Sequence, residues 1–346
     1  TLDGKAVFAL MATDHSEIKA DGTDSLEAAY QYTMNLNSSF SGDDNLYVRL
    51  RSGNGENRSF TTKTFGTYLS MGSGNTDILK VDKMWYTFPV GDDNTFYVGP
   101  KIENYYMHAT TPSIYKPVTK QFTLGGNGAA YGASTKTGAG WAFNADNGFA
   151  ISSNVVSGNS GLLTNQQATS WATQVGITKP QYSASLMVNQ KYNGWEDTYY
   201  TTDLGHRRLA DGATATQQTA NSTNYGLRAW WRPLETGTAT PSISLGYDLS
   251  TIDAANVGAT IDETDAWFVG LNWADIFQAD DRIGLAFGQP QTREDETVDP
   301  FAYEAYYEFK ANDSVTITPT VFGGSNRNGT SGDDIFGAVL QTTFKF

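Results

Sequence analysis

Apolar and polar residues alternate along much of this chain with a period of two. In the segment SISLGYDLS, at 242–250, the aliphatic and aromatic side chains occupy one set of alternate positions, and Ser, Gly and Asp occupy the other. The same alternation recurs at 224–232, 301–310, 315–321 and 340–346. Alternation of this kind predicts β-strands with one apolar and one polar face.

Strands of this kind account for most of the sequence. Frequent Gly and β-branched residues argue against long helices, and only 164–170 is a candidate for a short helix. Sixteen strands are predicted, over 6–12, 26–37, 45–52, 78–88, 95–103, 140–144, 148–154, 170–178, 182–191, 224–232, 242–251, 265–273, 281–289, 301–310, 314–322 and 334–346.

The connections between these strands alternate between long and short from the first strand onward. Outer-membrane barrels have short periplasmic turns and long extracellular loops, and an even strand number places both termini on the side of the short turns. We therefore predict an all-β fold, a transmembrane antiparallel β-barrel of about 16 strands that forms one domain over 1–346. A barrel of this size is too wide for side chains to fill and leaves an aqueous channel.

The composition changes this picture little. Apolar residues make up 39% of the chain and charged residues 17%, and the mean hydropathy is −0.42. In a barrel the polar lumen face offsets the lipid face, so a low mean is expected. The net charge of −14 argues against nucleic acid as a partner. Because the chain begins at Thr1 without a signal peptide, we expect a processed or trimmed form.

Several segments resemble known proteins. The segments 38-SSFSGDDNLYVRLRSGN-54, 82-DKMWYTFPVGDDNTFYVGP-100, 225-YGLRAWWRP-233, 242-SISLGYDLS-250 and 300-PFAYEAYYEFKANDSVTITP-319 resemble the cyanobacterial major outer-membrane porins. These porins belong to the carbohydrate-selective OprB-type family, in which some members are labelled iron-uptake porins. The resemblance covers Leu26 to Phe346, and the final QTTFKF resembles the C-terminal assembly signal of outer-membrane proteins.

The resemblance implies a homotrimeric pore in the outer membrane of a cyanobacterial-type cell, in contact with lipid and lipopolysaccharide. The implied function is passive diffusion of small hydrophilic solutes and inorganic ions. The alternative is a channel selective for carbohydrates or iron species. Family members usually carry an N-terminal domain that binds the cell wall, and we do not extend that activity to this chain.

The sequence carries no familiar catalytic motif, so we expect no enzymatic activity, no cofactor and no metal site. Its three histidines, His15, His108 and His206, fall in separate predicted loops. Glu304 and Glu308 share one strand face, about 13 Å apart. That spacing exceeds the roughly 6.5–9.5 Å of an inverting glycosidase pair, so both are predicted to line water.

The longest predicted connection, 104–139, is the third outer loop. In general porins the third loop folds into the barrel and narrows it, so we predict a constriction loop here. It carries Lys116, Lys120 and Lys136 and no acidic residue. The alternative is a loop on the outer surface that packs against a neighbouring subunit.

Several of the predicted lumen positions are basic. Charges that line a pore set its ion preference, and we therefore hypothesise a mild anion preference at the narrow zone. In the alternative, these cations pair with lumen acids such as Glu304, Glu308 and Asp248 and leave little net field. The basic residues predicted to line the pore on the strands are Arg49, Arg51, Lys101, Arg228, Arg232 and Arg282.

Aromatic residues near strand ends fit the girdles at membrane interfaces. Trp230, Phe268 and Tyr306 instead fall on the lumen face, where they would stack on a sugar or pack beneath the third loop. The predicted girdle residues are Tyr30, Tyr32, Trp85, Tyr86, Phe88, Trp231, Trp267, Trp273, Tyr303, Tyr307 and Phe346.

The predicted outer loops are acidic. Such carboxylates usually face solvent, and they would also attract divalent cations that bridge to lipopolysaccharide. The acidic residues are Glu196, Asp197, Asp203, Asp211, Glu294, Asp295, Glu296 and Asp299.

Overall fold

Sixteen antiparallel strands close into one barrel. Each strand pairs with its neighbours in the sequence, and β1 pairs with β16, so the sheet has no open edge. Closure gives every strand a hydrogen-bonding partner on both sides, which a barrel needs because hydrocarbon offers the backbone no hydrogen bonds. The computed structural model describes residues 1–14, 26–55, 69–72, 75–132, 134–158, 162, 164, 167–193, 195, 221–253, 263–294 and 296–346.

All sixteen predicted strands are present. They are β1 Leu2–Thr13, β2 Glu27–Ser38, β3 Asn45–Gly53, β4 Lys80–Val90, β5 Asn94–Glu103, β6 Thr135–Asn144, β7 Phe149–Ser157, β8 Thr169–Thr178, β9 Tyr182–Tyr192, β10 Asn221–Trp231, β11 Ser242–Asp253, β12 Glu263–Ala274, β13 Arg282–Arg293, β14 Phe301–Asn312, β15 Val315–Ser325 and β16 Ile335–Lys345.

The barrel is apolar outside and polar inside. Leu227, Leu245 and Leu340 are exposed on its outer face, whereas Gln174 and Asn189 are buried on its inner face. This reverses the arrangement of a water-soluble protein, and it is the one a barrel needs in hydrocarbon. In the alternating pattern of the sequence, the apolar residues therefore form the outer face and the polar residues form the lumen face.

One predicted strand was much too short. β6 begins at Thr135 rather than at residue 140, so the third outer loop covers 104–134 and Lys136 lies in the strand. The added residues, TKTGA, have no large apolar side chain to mark a lipid face, yet they pair with β5 and β7. The helix candidate at 164–170 is wrong at its end, because β8 begins at Thr169.

Among the residues that the structure describes, helical structure is confined to connections. The 3-10 turns Asn104–Met107 and Lys120–Gly125 and the short helix α1 (Gly128–Tyr131) lie between β5 and β6, and a further 3-10 turn covers Arg327–Gly329. No helix in the described parts of the chain is long and apolar enough to cross a membrane.

A carboxylate closes the short turn between β2 and β3. Asp44 accepts hydrogen bonds from Ser39 Oγ, from the backbone N–H groups of Phe40 and Ser41, and from Tyr86 Oη on β4. The bond from Ser39, together with those from Tyr86 and the backbone, holds the pKa of Asp44 well below its usual range. Asp281 closes the turn between β12 and β13 in the same way, with Tyr307 in the place of Tyr86.

Two irregularities in register shape the inner wall around β4. Arg49 and Leu50 are neighbours on β3, but they pair with Lys83 and Val81 on β4, which leaves Asp82 as an extra residue of β4. On β5, a second shift falls between Gly99 and Ile102. Bulges of this kind re-aim side chains and interrupt strict alternation.

Candidate functional site: the interior of the barrel

The connection between β5 and β6, 104–134, runs along the inner wall and is called here the inner segment. Its backbone bonds to side chains on successive strands, from β7 to β12. These hydrogen bonds are Ala109 N to Ser152 Oγ (3.0 Å), Thr110 N to Gln174 Oε1 (2.9 Å), Trp230 Nε1 to Thr111 O (3.0 Å), Tyr115 N to Ser244 Oγ (3.2 Å) and Lys116 N to Asn272 Oδ1 (3.2 Å).

The strongest anchor of the inner segment is Glu304 on β14. Its carboxylate accepts hydrogen bonds from Tyr115 Oη (2.8 Å), Val118 N (3.1 Å), Thr119 N (2.7 Å) and Thr119 Oγ1 (2.5 Å). Glu304 is fully buried. It was predicted to line water, but the inner segment covers it and uses it as an acceptor.

A buried ion pair forms the second anchor. Arg228 on β10 donates to both carboxylate oxygens of Asp248 on β11, at 2.8 and 3.0 Å. Arg228 Nε also donates to Leu124 O (2.7 Å), and Asp248 accepts from Asn127 N (3.1 Å). Arg228 therefore binds the inner segment instead of facing the open lumen as predicted. Removing one partner of such a pair typically costs about 3–5 kcal/mol.

Apolar contacts cover the lumen aromatics. The rings of Tyr115 and Phe122 each lie 5.7 Å from the ring of Phe268, and the Tyr115 ring lies 6.1 Å from that of Tyr306. Phe268, Tyr306 and Trp230 are all buried. Of the two alternatives, packing beneath the inner segment is therefore the one observed, and these rings offer no free face to a sugar.

A second stretch also enters the barrel. Residues 69–72, from the connection between β3 and β4, meet the inner segment through an antiparallel bridge between Leu69 and Thr119. Ser70 N donates to Val118 O (2.7 Å). Gln31 on β2 donates through Nε2 to Met71 O, which ties this stretch to the wall. The inner segment is thus held from two sides.

A group of charges occupies the inner wall at β3–β5. Arg49 bonds to Asp82 (2.6 Å) and to Glu103 (2.9 Å). Arg51 lies 3.6 Å from the same Asp82 carboxylate, and Lys83 lies 3.7 Å from Glu103. The register shift at Asp82 brings Asp82 and Lys83, which are consecutive residues, into this one group.

Further cations surround this group. Lys5 on β1 lies within electrostatic range of Arg49 and Arg51, and Lys120 on the inner segment interacts with Arg51, Glu103 and Arg49. The described cluster therefore holds five cations against two carboxylates. Burial lowers the pKa of the Lys120 amine to about 7, and the nearby Arg51 charge acts in the same direction.

Comparison with solved structures shows which fold this is. The structure matches an anion-selective porin from Comamonas acidovorans (TM-score 0.64, 10% identity) over 100% of this chain and 99% of the other. It matches OmpF of Salmonella typhi, in a complex with daunomycin (TM-score 0.62, 10% identity), over 100% and 97%. The chain has the fold of the bacterial outer-membrane porins.

The trimer form of OmpT from Vibrio cholerae shares this porin fold, with a TM-score of 0.60 and 12% identity over 100% of this chain and 98% of the other. No family model matches the sequence. An uncharacterized protein of Nostoc sp. (strain PCC 7120) is 25% identical over 393 aligned positions. The alignment includes 100% of this chain, which spans only 65% of the length of that relative.

The remaining predicted lining residues lie in different environments. Arg282 pairs with Glu308 on the inner wall (3.3 Å), and both are partly exposed. Lys116 is exposed on the inner segment, and Lys136 is exposed on β6. Arg228 and Arg282 are therefore paired with acids, as the alternative held. Arg51 belongs to a cluster in which positive charge is in excess, and Lys116 and Lys136 are exposed.

One predicted lining residue, Lys101, lies on the outer side of the barrel, and another, Arg232, lies at the rim, over the ring of Trp230. Lys101 pairs with Met84, which lies between the inward residues Lys83 and Trp85, so Lys101 is on the outer side and donates to Val81 O. Alternation predicts that Lys101 faces the lumen, but the register shift in β5 turns its side chain to the outer side. Arg232 follows the end of β10, is exposed at the short-turn rim and donates to Pro180 O.

Alternation also misplaced one aromatic residue and missed several charges. Trp85 was assigned to the lipid interface, but it is buried on the inner wall against Tyr47 (4.4 Å between ring centroids). Asp82, Lys83 and Glu103 were not singled out. The run DK at 82–83 was the available signal, because two consecutive charges on a membrane strand require either a bulge or a charge in lipid.

No group of three or more His, Asp or Glu side chains suited to a metal ion occurs among the residues that the structure describes. His108 lies on the inner segment, with its ring 5.2 Å from that of Tyr131. His15 and His206 lie outside the described residues, as do Glu196, Asp197, Asp203, Asp211 and Asp295.

Substitution of Gly246 by alanine should displace the inner segment. A Cβ atom at Gly246 would lie 1.8 Å from Gly125 O, a backbone atom that cannot rotate away. Overpacking of this kind usually costs about 1–3 kcal/mol. We expect Gly246→Ala to lower the thermal unfolding midpoint in detergent. Leu245→Ala changes the adjacent outward side chain and serves as the control. Equal midpoints for the two variants would show that the close contact with Gly125 is unimportant.

Proposed function

We propose that this chain is an outer-membrane porin that allows passive diffusion of small hydrophilic solutes and inorganic ions through a water-filled lumen. The observation that carries this proposal is the inner wall at β3–β5, where Arg51 and Lys120 add to an excess of cations inside a closed barrel of sixteen strands. Charged side chains within a membrane protein pair with one another or line a water-filled cavity. The porin fold and the exposed apolar outer face support a location in a bacterial outer membrane.

We also propose that the inner segment sets the size of the opening. Its hydrogen bonds reach the inner faces of β7, β8, β11, β12 and β14, so its backbone occupies space that would otherwise belong to the lumen. On its opposite side, Tyr106 and Lys120 approach the charges of β3. Residues 69–72 pack between the inner segment and the inner faces of β1 and β2. The permeation path would therefore pass the charged wall at β3–β5.

The charge at this opening favours anions. Five cations oppose two carboxylates in the cluster, even though the whole chain carries a net charge of −14. In a narrow passage the nearest charges dominate, because salt screens charges more than about 8–10 Å away at physiological ionic strength. A mild anion preference is therefore proposed.

The assembly is proposed to be a homotrimer in contact with lipid and lipopolysaccharide. The OmpT structure of Vibrio cholerae described above is a trimer form, and this chain shares its fold. The resemblance to cyanobacterial porins suggests a cyanobacterial-type outer membrane, and the relative from Nostoc sp. is consistent with that origin. A channel selective for carbohydrates or iron species is the alternative.

Liposome swelling tests the diffusion function. Proteoliposomes that contain the folded protein should swell in solutions of small neutral sugars, at rates that fall steeply as the sugar becomes larger. Protein-free liposomes supply the control. Uniform exclusion of all sugars and of small salts would contradict a diffusion channel, whereas rapid uptake of one sugar out of size order would favour the selective alternative.

The pKa of Lys120 predicts a pH-dependent selectivity. Because its pKa is lowered to about 7, Lys120 is cationic at pH 6 and largely neutral at pH 8.5. The preference for chloride over potassium should therefore decrease between these values, measured as a zero-current potential in a salt gradient. Lys120→Gln should show the low preference at both values, and Lys120→Arg should show the high preference at both. A wild-type pH response in Lys120→Gln would assign the titration to another group.

A further inference from the structure

Four aromatic side chains form a shelf on the inner wall beside the cation cluster. They are Tyr47 and Trp85, on β3 and β4, and Tyr105 and Tyr106, on the inner segment. The ring of Tyr106 lies 5.3 Å from Trp85, 6.5 Å from Tyr47 and 4.8 Å from Tyr105. This group is called the aromatic shelf. It differs from the covered rings of Phe268 and Tyr306, because Tyr106 keeps 45% of its surface exposed.

The shelf is held in place on both sides. Tyr106 belongs to the 3-10 turn Asn104–Met107, and Asn104 exchanges hydrogen bonds with Ser134 (3.0 and 2.8 Å). The side chain of Met107 is buried against β6, close to Gly140. A ring fixed in this way loses little freedom when a second ring packs on it, which favours binding.

Arg51 supplies an anion-binding group next to the shelf. Arg49 Nη1 donates to Tyr106 Oη (3.4 Å), but its other donors are occupied by Asp82 and Glu103. Among the residues that the structure describes, the side chain of Arg51 has only the longer contact to Asp82, at 3.6 Å, and its buried Nε has no hydrogen-bond partner. A guanidinium offers a planar pair of donors that matches a carboxylate or phosphate.

We propose that the aromatic shelf, with Arg51 and Lys120, is a binding subsite for small oxyanions carried on a ring, namely phosphates or carboxylates of aromatic or sugar rings. The ring packs on Tyr106, and the oxyanion is bound by the Arg51 guanidinium and attracted by Lys120. This inference rests on the proposed channel and deepens it, because it names a class of solute that would be retained during passage.

Competition for the ion current tests the subsite. The folded protein is placed in planar bilayers in 0.1 M KCl at pH 6, and four probes are titrated: phenyl phosphate, glucose 6-phosphate, inorganic phosphate and phenyl β-glucoside. Ring-bearing phosphates should block the current at concentrations about three- to tenfold below those of inorganic phosphate or the neutral glucoside, the gain expected from one aromatic contact. Block by phenyl phosphate but not by glucose 6-phosphate would show that the ring packed on Tyr106 is aromatic. Block by glucose 6-phosphate alone would show that it is a sugar ring.

Variants separate the two halves of the subsite. Arg51→Gln should reduce the block by phenyl phosphate to the level of phenyl β-glucoside. Tyr106→Ser should reduce it to the level of inorganic phosphate, whereas Tyr106→Phe should preserve it. Arg232→Gln, at the exposed rim, is the matched control and should behave as the wild type. The KCl conductance of each variant shows that its channel has folded.

The possible failures are distinguishable. If KCl passes but inorganic phosphate blocks as well as phenyl phosphate, the channel stands and the subsite is refuted. If Arg51→Gln and Arg232→Gln respond alike, the oxyanion does not bind at Arg51 and the assignment is overturned. Absence of any KCl conductance in the wild type would overturn both the channel and the subsite.

Discussion

Replacing Glu304 with alanine is expected to free the inner segment and enlarge the opening. The variant removes the acceptor of four hydrogen bonds from Tyr115, Val118 and Thr119. A buried donor left without a partner costs about 1–3 kcal/mol, so several kcal/mol of anchoring would be lost. Single-channel conductance should rise, and larger neutral sugars should enter proteoliposomes.

The matched control is Glu308→Ala, on the same face of β14. In the described part of the chain, the one salt bridge of Glu308 is with Arg282 at 3.3 Å, and both side chains are about 30% exposed. Exposed pairs of this kind contribute about 0–1 kcal/mol. Its conductance and sugar limit should stay close to those of the wild type. If Glu304→Ala folds and shows the wild-type conductance and sugar limit, the inner segment does not control the opening.

Reversing the charge of Arg51 should reverse the ion preference of the channel. Arg51→Glu changes the cluster by two charges at a residue whose salt bridge to Asp82 is long, at 3.6 Å. A unit charge about 8 Å from a permeating ion in water contributes about 0.5 kcal/mol. The difference between the barriers for chloride and potassium would then change by about 2 kcal/mol before screening. At 0.1 M salt, screening reduces this effect to a several-fold change in the permeability ratio.

The zero-current potential in a KCl gradient reports this change directly. Its sign should switch from anion-selective in the wild type to cation-selective in Arg51→Glu. Arg232→Glu introduces the same change in charge at the exposed short-turn rim, and it should shift the potential much less. Equal shifts in the two variants would mean that net charge, rather than the cluster at β3–β5, governs selectivity.

The sequence was sufficient to predict the barrel because lipid and water impose one simple pattern on every strand. In β11, Leu245 faces outward and Ser244 inward, as a period of two requires. The same reasoning failed at the start of β6, where Thr135 and the four residues after it carry no large side chain that marks a lipid face. There, pairing with β5 and β7 defines the strand instead.

Strict alternation also failed wherever the register shifts. Asp82 and Lys83 both reach the inner cluster, and Lys101 leaves the lumen, because extra residues in β4 and β5 invert the pattern. A pattern of single residues does not reveal a bulge, since a bulge depends on the partner strand. These are the positions where the charge distribution of the lumen is decided.

The sequence was sufficient to predict that the side chains of Arg228 and Glu304 point into the barrel, but not which groups surround them. Their roles depend on backbone donors and acceptors of the inner segment, 104–134, which lie more than one hundred residues away in sequence. Such contacts follow from the path of the connection rather than from local composition. Trp230 illustrates the result, because its indole N–H bonds to Thr111 O and its ring is buried.

Single-channel recording tests the central claim, that a charged aqueous path remains beside the inner segment. The purified, folded protein in planar bilayers should produce discrete current steps, and their size should rise with KCl concentration. Folded, membrane-inserted protein that produces no steps at any salt concentration would mean that the inner segment and residues 69–72 close the barrel, and the channel account would be wrong.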